Sequence, residues 1–308
     1  MNAISSGLVL FLLMLTGFIC AKIKITGPEI ANYFSRFVIC ISLPALLLTS
    51  FQQPFSRELL RETGLVFFIS TLIFAVSFFV ALIYPRIMKM KGPERGVHRY
   101  AIIIPNSGFI GYPMVEAILG PAFLFHAAIY NITFTSMSLS LCAWLIAKEG
   151  KQSLKISWKT FVNQIVIATL VGFLFFIFAI RLPGPLYRSL KMLGDATSPL
   201  SMIVIGTTLA QANIRQVFGR PGIYVTVIIR LLALPVLAGV VSYILGIRGP
   251  LLAMTVLLTA MPAGSSTSLL ASLYQTAAEE ASSLVFLSTV LNMVTVPLIM
   301  LFMEFYAK

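Results

Sequence analysis

The chain alternates between long apolar runs and short polar connections. A hydrocarbon core about 30 Å thick needs roughly 20 apolar residues to cross it as a helix. Ten runs of that kind follow one another, at 3–21, 32–51, 65–86, 98–119, 123–147, 158–180, 187–212, 224–245, 250–274 and 280–303. The pattern predicts an all-α polytopic membrane protein with ten transmembrane helices. The first run lacks the basic start of a secretory signal and is read as a retained span.

Two runs carry polar and helix-breaking residues at their centres. In IIIPNSGFIGYPMVEAILG, Pro105, Asn106, Ser107, Gly108, Gly111 and Pro113 interrupt the fourth run. In TAMPAGSSTSLLASLY, Pro262, Gly264, Ser265, Ser266 and Thr267 interrupt the ninth. Proline removes a backbone N–H and clashes with the preceding turn. The freed groups are tolerated at membrane depth only inside protein or along a wet cavity. The two breaks lie 157 residues apart, and Pro44 and Pro199 in the second and seventh runs lie 155 apart, close to half the 308-residue chain. This spacing predicts two five-helix repeats, 1–150 and 151–308. Five is odd, so the second repeat is inverted, and spans 4 and 9 become the broken, crossing helices of a secondary transporter.

A broken helix exposes a new N-terminus with unpaired N–H donors and about half a positive charge. Two such ends meeting near the midplane hold a carboxylate without a buried Lys or Arg of their own. The predicted ligand is therefore a small organic anion. The candidate binding residues are Pro105, Asn106, Ser107, Asn131, Pro262, Gly264, Ser265, Ser266 and Asn292. Asn131 and Asn292 lie 26 and 30 residues beyond their respective breaks, a difference of about one helical turn. Tyr130, Ser288 and Thr289 adjoin them. Arg230, an ionisable group inside span 8, is a candidate for gating or coupling, although it stands near enough to the span's end to snorkel. Glu116, just after the first break, is a candidate proton carrier. Asp195 is read as structural.

Composition agrees with this class. Charged residues make up 10% of the chain, against about 25% in soluble domains. The net charge of +12 does not point to nucleic acid, because the basic residues, Arg230 apart, sit mostly at loops and span ends. The odd-numbered loops with their adjoining span ends carry 14 Lys and Arg, against 7 on the other side. The positive-inside rule then places the odd loops in the cytoplasm and both termini outside. Cys20, Cys40 and Cys142 have no metal-binding spacing, and His98 and His126 are read as loop or helix-end residues. No metal, organic cofactor or nucleotide motif is predicted.

PNSGFIGYPMVEAILG resembles the first crossover of the auxin efflux carrier family, with Pro105-Asn106, Gly111-Tyr112-Pro113 and Gly120 in the matching places. RLLALPVLAGVVSYILGIRGPLLAMTVLLTAMPAG looks like that family's spans 8 and 9, with Arg230, Pro235 and Pro262. The resemblance runs over essentially the whole chain, and the short loop after span 5 is similar to bacterial malonate- and malate-type members. Ala263 and Gly264 follow Pro262 where plant auxin carriers have Gln. The resemblance implies a scaffold of spans 1, 2, 6 and 7, a transport domain of spans 3–5 and 8–10, a homodimer in the inner membrane, and elevator-type movement. Energy is expected from the proton gradient or membrane potential, with sodium the alternative. The competing readings are a sodium-coupled organic-anion symporter of the bile-acid type and a non-transporting receptor. An enzyme lacks a convergent catalytic set in this sequence.

Overall fold

In a computed structural model the described residues are 3–150, 163–211 and 220–306. The predicted span at 158–180 begins, and the span at 187–212 ends, outside them. All regular structure among the described residues is helical: α1 (Ala3–Lys22), α2 (Pro28–Ser50), α3 (Arg57–Ile87), α4 (Gly92–Ile103), α5 (Tyr112–Leu119), α6 (Pro121–Ala147), α7 (Gln164–Ile177), α8 (Gly184–Asp195), α9 (Thr197–Gln211), α10 (Pro221–Ile244), α11 (Gly249–Thr259), α12 (Ser266–Leu273) and α13 (Ala278–Tyr306). Six of them, α1, α2, α3, α6, α10 and α13, are long and apolar enough to cross a membrane. Their apolar surface is not confined to the inside: Leu8, Leu12, Phe68, Phe79, Val236 and Leu298 are exposed, as expected of side chains that meet lipid.

The shorter helices are short for identifiable reasons. The fourth run breaks between α4 and the π turn Ser107–Gly111 that leads into α5, and the ninth breaks between α11 and α12. The seventh run, expected as one helix, is divided at Ala196 into α8 and α9. Pro199 lies three residues on, where the chain requires no helical N–H donor because it is the first turn of α9. Three other prolines are accommodated by widening the helix. The π turns Val38–Ser42, Ser107–Gly111 and Ile229–Ala233 end immediately before the helical turns that carry Pro44, Pro113 and Pro235. A wider turn separates the pyrrolidine ring from the carbonyl four residues back.

The chain forms two compact units that interleave along the sequence. The first comprises residues 1–68, 108–132 and 162–211. In it α1 lies against α9 at glycine contacts: a Cβ on Gly17 would sit 2.3 Å from the Ile203 carbonyl oxygen, and one on Gly206 would sit 1.9 Å from that of Met14. Thr207 reinforces the contact by donating to the Gly17 carbonyl and pairing with Thr26 at 3.1 Å. Phe51, just past the end of α2, meets Phe125 in a tilted ring contact, and Phe125 in turn meets Phe176 of α7 edge to face. The Asn163 side chain caps α7, accepting from the N–H groups of Ile165 and Val166. Asn163→Ala should cost about 1 kcal/mol, read as a lower unfolding temperature of the purified protein. An unchanged temperature would mean that α7 starts without its cap.

The second unit comprises residues 69–107, 133–161 and 212–308. Its core gathers Val97 and Ala101 of α4, Ile223, Val227 and Leu231 of α10, Ala263 and Ala271 around the second break, and Ala281 and Leu284 of α13. Small residues dominate where the broken segments pass, so backbone approaches backbone.

Candidate functional site

The two breaks of the second unit are joined to one another. Proline disfavours helical backbone in the residue before it, and Ile104 is accordingly extended at φ −98°, ψ 111°. This ends α4 and leaves Pro105 as a one-residue strand flanked by Ile104 and Asn106. Pro105 and Ala263 form an antiparallel bridge. Asn106 N–H donates to the Pro262 carbonyl at 2.8 Å, and Gly264 N–H donates to the Ile104 carbonyl at 2.9 Å. These bonds flank the Pro105–Ala263 pair, and the residues facing each other at such a position exchange no hydrogen bond of their own. Pro105 therefore stands where no donor is required. Ala263 sends its N–H to Ser288 Oγ of α13 at 3.2 Å. A side chain on Gly264 would press on Ile104, its Cβ 3.3 Å from Ile104 Cγ2.

The carbonyl ends of the two broken helices converge on one cation. Arg230 is 1% exposed. Its Nε donates to Met261 O, Nη1 to Ile102 O and Nη2 to Thr259 O, at 3.0, 2.8 and 2.6 Å. It does not snorkel. The π turn Ile229–Ala233 carries it on the buried face of α10, and its fork of donors satisfies carbonyls that the breaks leave without helical partners. Asn292 completes the set, donating from Nδ2 to Ala260 O at 2.8 Å. Arg230 and Asn292 thus brace the crossover through backbone.

The opposite ends of the breaks are helix starts. The π turn at Ser107 and the helix at Ser266 begin with N–H groups that have no intrahelical acceptor; at the second start Thr267 N–H donates to the Gly264 carbonyl at 2.9 Å. Asn106 and Ser107 are buried beside the first, and the Asn106 side chain makes no hydrogen bond among the described residues. Ser265 is exposed at the second, and Ser266 Oγ accepts from the Tyr100 hydroxyl at 3.0 Å. Thr289 turns its hydroxyl back to Val285 O within α13. Within the second unit, the start of α12 and the buried Arg230 guanidinium make the crossover positive.

Three expected site residues belong to the first unit. Glu116 is half-buried and accepts from Ser198 Oγ at 2.8 Å. Tyr130 is fully buried. Asn131 is 1% exposed and lies beside the Tyr112 hydroxyl, but among the described residues neither atom of its amide has a partner within hydrogen-bonding geometry.

The sequence pattern of the family described as Membrane transport protein matches residues 3–300. The chain belongs to this family of auxin efflux carrier type. Relatives of the carrier include an uncharacterised transporter of Methanothermobacter thermautotrophicus, 29% identical over 301 residues and covering 97% of each chain. Another is an uncharacterised transporter of Methanocaldococcus jannaschii, 26% identical over 94% of this chain and 96% of that one. A third, in Rhizobium meliloti, bears the name "Putative malonate transporter" and is 23% identical over 94% of this carrier and 93% of its own length. The carrier is an integral membrane transporter.

The sequence missed one constellation. His98, expected at a loop or helix end, is buried within α4 with Nδ1 2.6 Å from Thr226 Oγ1 and Nε2 2.8 Å from Glu280 Oε1. Arg220 Nη1 reaches the other Glu280 oxygen at 3.1 Å. A signal was present: His98, Thr226 and Glu280 all fall at the ends of spans that the charge count assigns to one side. On the other flank of α4, Glu149 accepts from Arg95 at 2.9 Å and Arg99 at 3.3 Å. The Glu149 carboxylate holds the Arg95 guanidinium above its ordinary range.

Proposed function

We propose that this transporter moves a small organic anion, a carboxylate, which binds at the crossover of the two broken helices and is carried by elevator-type alternating access. The observation that carries the reading is the polarity of the crossover. Its carbonyl ends are neutralised by a buried Arg230, while helical turns start just past the bridge at Ser107 and Ser266, with Asn106 beside the first. An anion fits such ends; a cation would meet the wrong end of both dipoles. The malonate in one relative's name is a carboxylate of the expected kind and supplies a probe.

In this reading the substrate carboxylate takes the Asn106 amide and the free helix N–H groups, with Ser107, Ser265 and Ser266 as hydroxyl partners. Pro105, Pro262 and Gly264 shape the backbone. Asn131, Tyr130, Thr289 and Glu116 remain proposed contributors. The carrier works as a homodimer of two inverted five-helix repeats in the inner membrane, with both termini on the non-cytoplasmic side. The proton gradient or membrane potential drives it.

Thermal unfolding with and without malonate tests the site. At a concentration one hundred times Kd, a ligand of the folded state stabilises it by about 2.7 kcal/mol. Asn106→Ala removes a hydrogen bond to a charged group, about 1.5–3 kcal/mol, and should weaken malonate binding roughly 10- to 100-fold. An equal shift in both proteins moves the site away from Asn106.

A further inference from the structure

Four π turns occur among the described residues, and three of them lead into the prolines named above. The fourth, Ser138–Cys142 in α6, does not, since no proline lies between it and the end of the helix at Ala147. Such a turn needs another reason, and π turns are frequent at functional sites. Here the first residue of the turn, Ser138, sets its hydroxyl 2.5 Å from that of Tyr100.

Tyr100 lies in the last turn of α4 and is fully buried. Its hydroxyl also stands 3.0 Å from the Oγ of Ser266, the first residue of α12, just past the second break. A phenol has one hydrogen to give. The geometry of this pair makes Ser266 the acceptor, so the Tyr100 hydrogen goes there. The Tyr100 oxygen then accepts from Ser138. The hydroxyls therefore run in one direction, Ser138 to Tyr100 to Ser266, and the series ends on a hydrogen. The Ser266 O–H has no acceptor among the described residues. A helical serine usually turns to the carbonyl four residues back. That carbonyl is Pro262 O, which takes the Asn106 N–H at 2.8 Å.

Ser266 is half-buried, next to the exposed Ser265. A Cβ on Gly264 would lie 3.1 Å from Ser266 Oγ, so glycine at that position leaves the hydroxyl uncovered. A hydroxyl fixed as a donor is complementary to a group that only accepts, and an ionised carboxylate is such a group. Its direction is set before the ligand arrives, so little freedom is lost on binding.

We propose that Tyr100 is a positioning residue of the anion site: with Ser138 behind it, it holds the Ser266 hydroxyl as a hydrogen-bond donor toward the substrate carboxylate. This deepens the reading above and rests on it. Tyr100 does not touch the substrate and acts only through Ser266.

The test is a double-mutant cycle on carboxylate binding by the purified full-length protein, followed by titration calorimetry. Malonate is the main probe, with acetate and succinate beside it. Phe in place of Tyr100 keeps the buried ring and removes the hydroxyl. Tyr100→Phe is expected to weaken malonate about three- to tenfold and Ser266→Ala about tenfold, with the double variant no weaker than Ser266→Ala alone. A Tyr100→Phe protein that binds like wild type overturns the proposal. So does a loss that recurs in full on the Ser266→Ala background, which is what a general loosening of the fold produces. If Tyr100→Phe does not fold, wild type and Ser266→Ala carry the test through infrared difference spectra, with tyrosine isotope-labelled at the ring carbon that bears the hydroxyl. A serine that gives its hydrogen to an anion becomes a better acceptor. Malonate is then expected to shift a tyrosine C–O band in wild type and to leave it still in Ser266→Ala; the same response in both overturns the proposal. Asn106→Ala judges the crossover reading separately. Malonate binding that ignores Asn106→Ala yet shows the Tyr100–Ser266 coupling upholds the positioning role and removes Asn106 from the site. Binding weakened by Asn106→Ala with Tyr100→Phe silent does the reverse. A wild type that binds none of the three acids removes both.

Discussion

Arg230→Met should be the most damaging single substitution in the second unit. The methionine fills part of the space but donates nothing, so Ile102 O, Thr259 O and Met261 O lose their partner together. A buried polar group left unpaired costs about 1–3 kcal/mol, and the three are not independent, so about 3–5 kcal/mol is expected in total. Arg230→Lys should recover only part of this. An ammonium is a point donor, whereas the three carbonyls are spread around a planar fork. The measurement is thermal unfolding of the three purified proteins, with recovery from size-exclusion chromatography as a second reading. Loss of all structure in the Met protein with partial rescue by Lys fits the brace. A Met protein as stable as wild type would mean that the crossover satisfies its carbonyls in another way.

The second large effect is expected in the first unit, from Gly206→Leu. The added Cβ alone meets Met14 O at 1.9 Å and Phe18 N at 2.7 Å. These are backbone atoms, so no rotamer relieves the contact and α1 must move off α9. Overpacking of this kind costs about 1–3 kcal/mol and occasionally more; the upper end is expected here. Small residues that let backbones approach are a usual basis of helix association in lipid. Gly184→Leu is the control, because a Cβ there meets nothing within 4 Å. Equal unfolding temperatures for the two variants would show that the α1–α9 contact contributes little.

The sequence made the breaks legible and left their resolution hidden, for a physical reason. Pro105 and Pro262 remove donors and bend the chain whatever surrounds them, so interruption follows from local chemistry. The partner of each freed group is decided by tertiary packing. The amides expected at the ligand are in part taken by the bridge, since Asn106 N–H goes to Pro262 O and Gly264 N–H to Ile104 O. Arg230 could not be placed from its distance along the span, because snorkelling depends on which face carries it. The division of the seventh run at Ala196 was similarly obscured, since a one-residue interruption leaves hydropathy unchanged. His98 looked ordinary as a lone histidine in a basic segment; its meaning depends on Glu280, 182 residues away.

The π turn at Ile229–Ala233 has a consequence for how α10 tolerates change in length. Its buried stripe runs from Ile223 through Thr226, Val227, Arg230, Leu231, Leu234, Pro235 and Ala238 to Ser242. That is 19 residues for five turns, where an unbroken α-helix uses about 18. The π turn absorbs the surplus residue and keeps the stripe in phase from end to end. Elsewhere in α10 a deletion of one residue would rotate everything beyond it by roughly 100° and turn Ala238 and Ser242 toward lipid. Within 229–233 the same deletion closes the wide turn to an ordinary one and leaves those residues facing inward. The place where the helix looks most irregular is thus the place where its reading frame of faces is most forgiving.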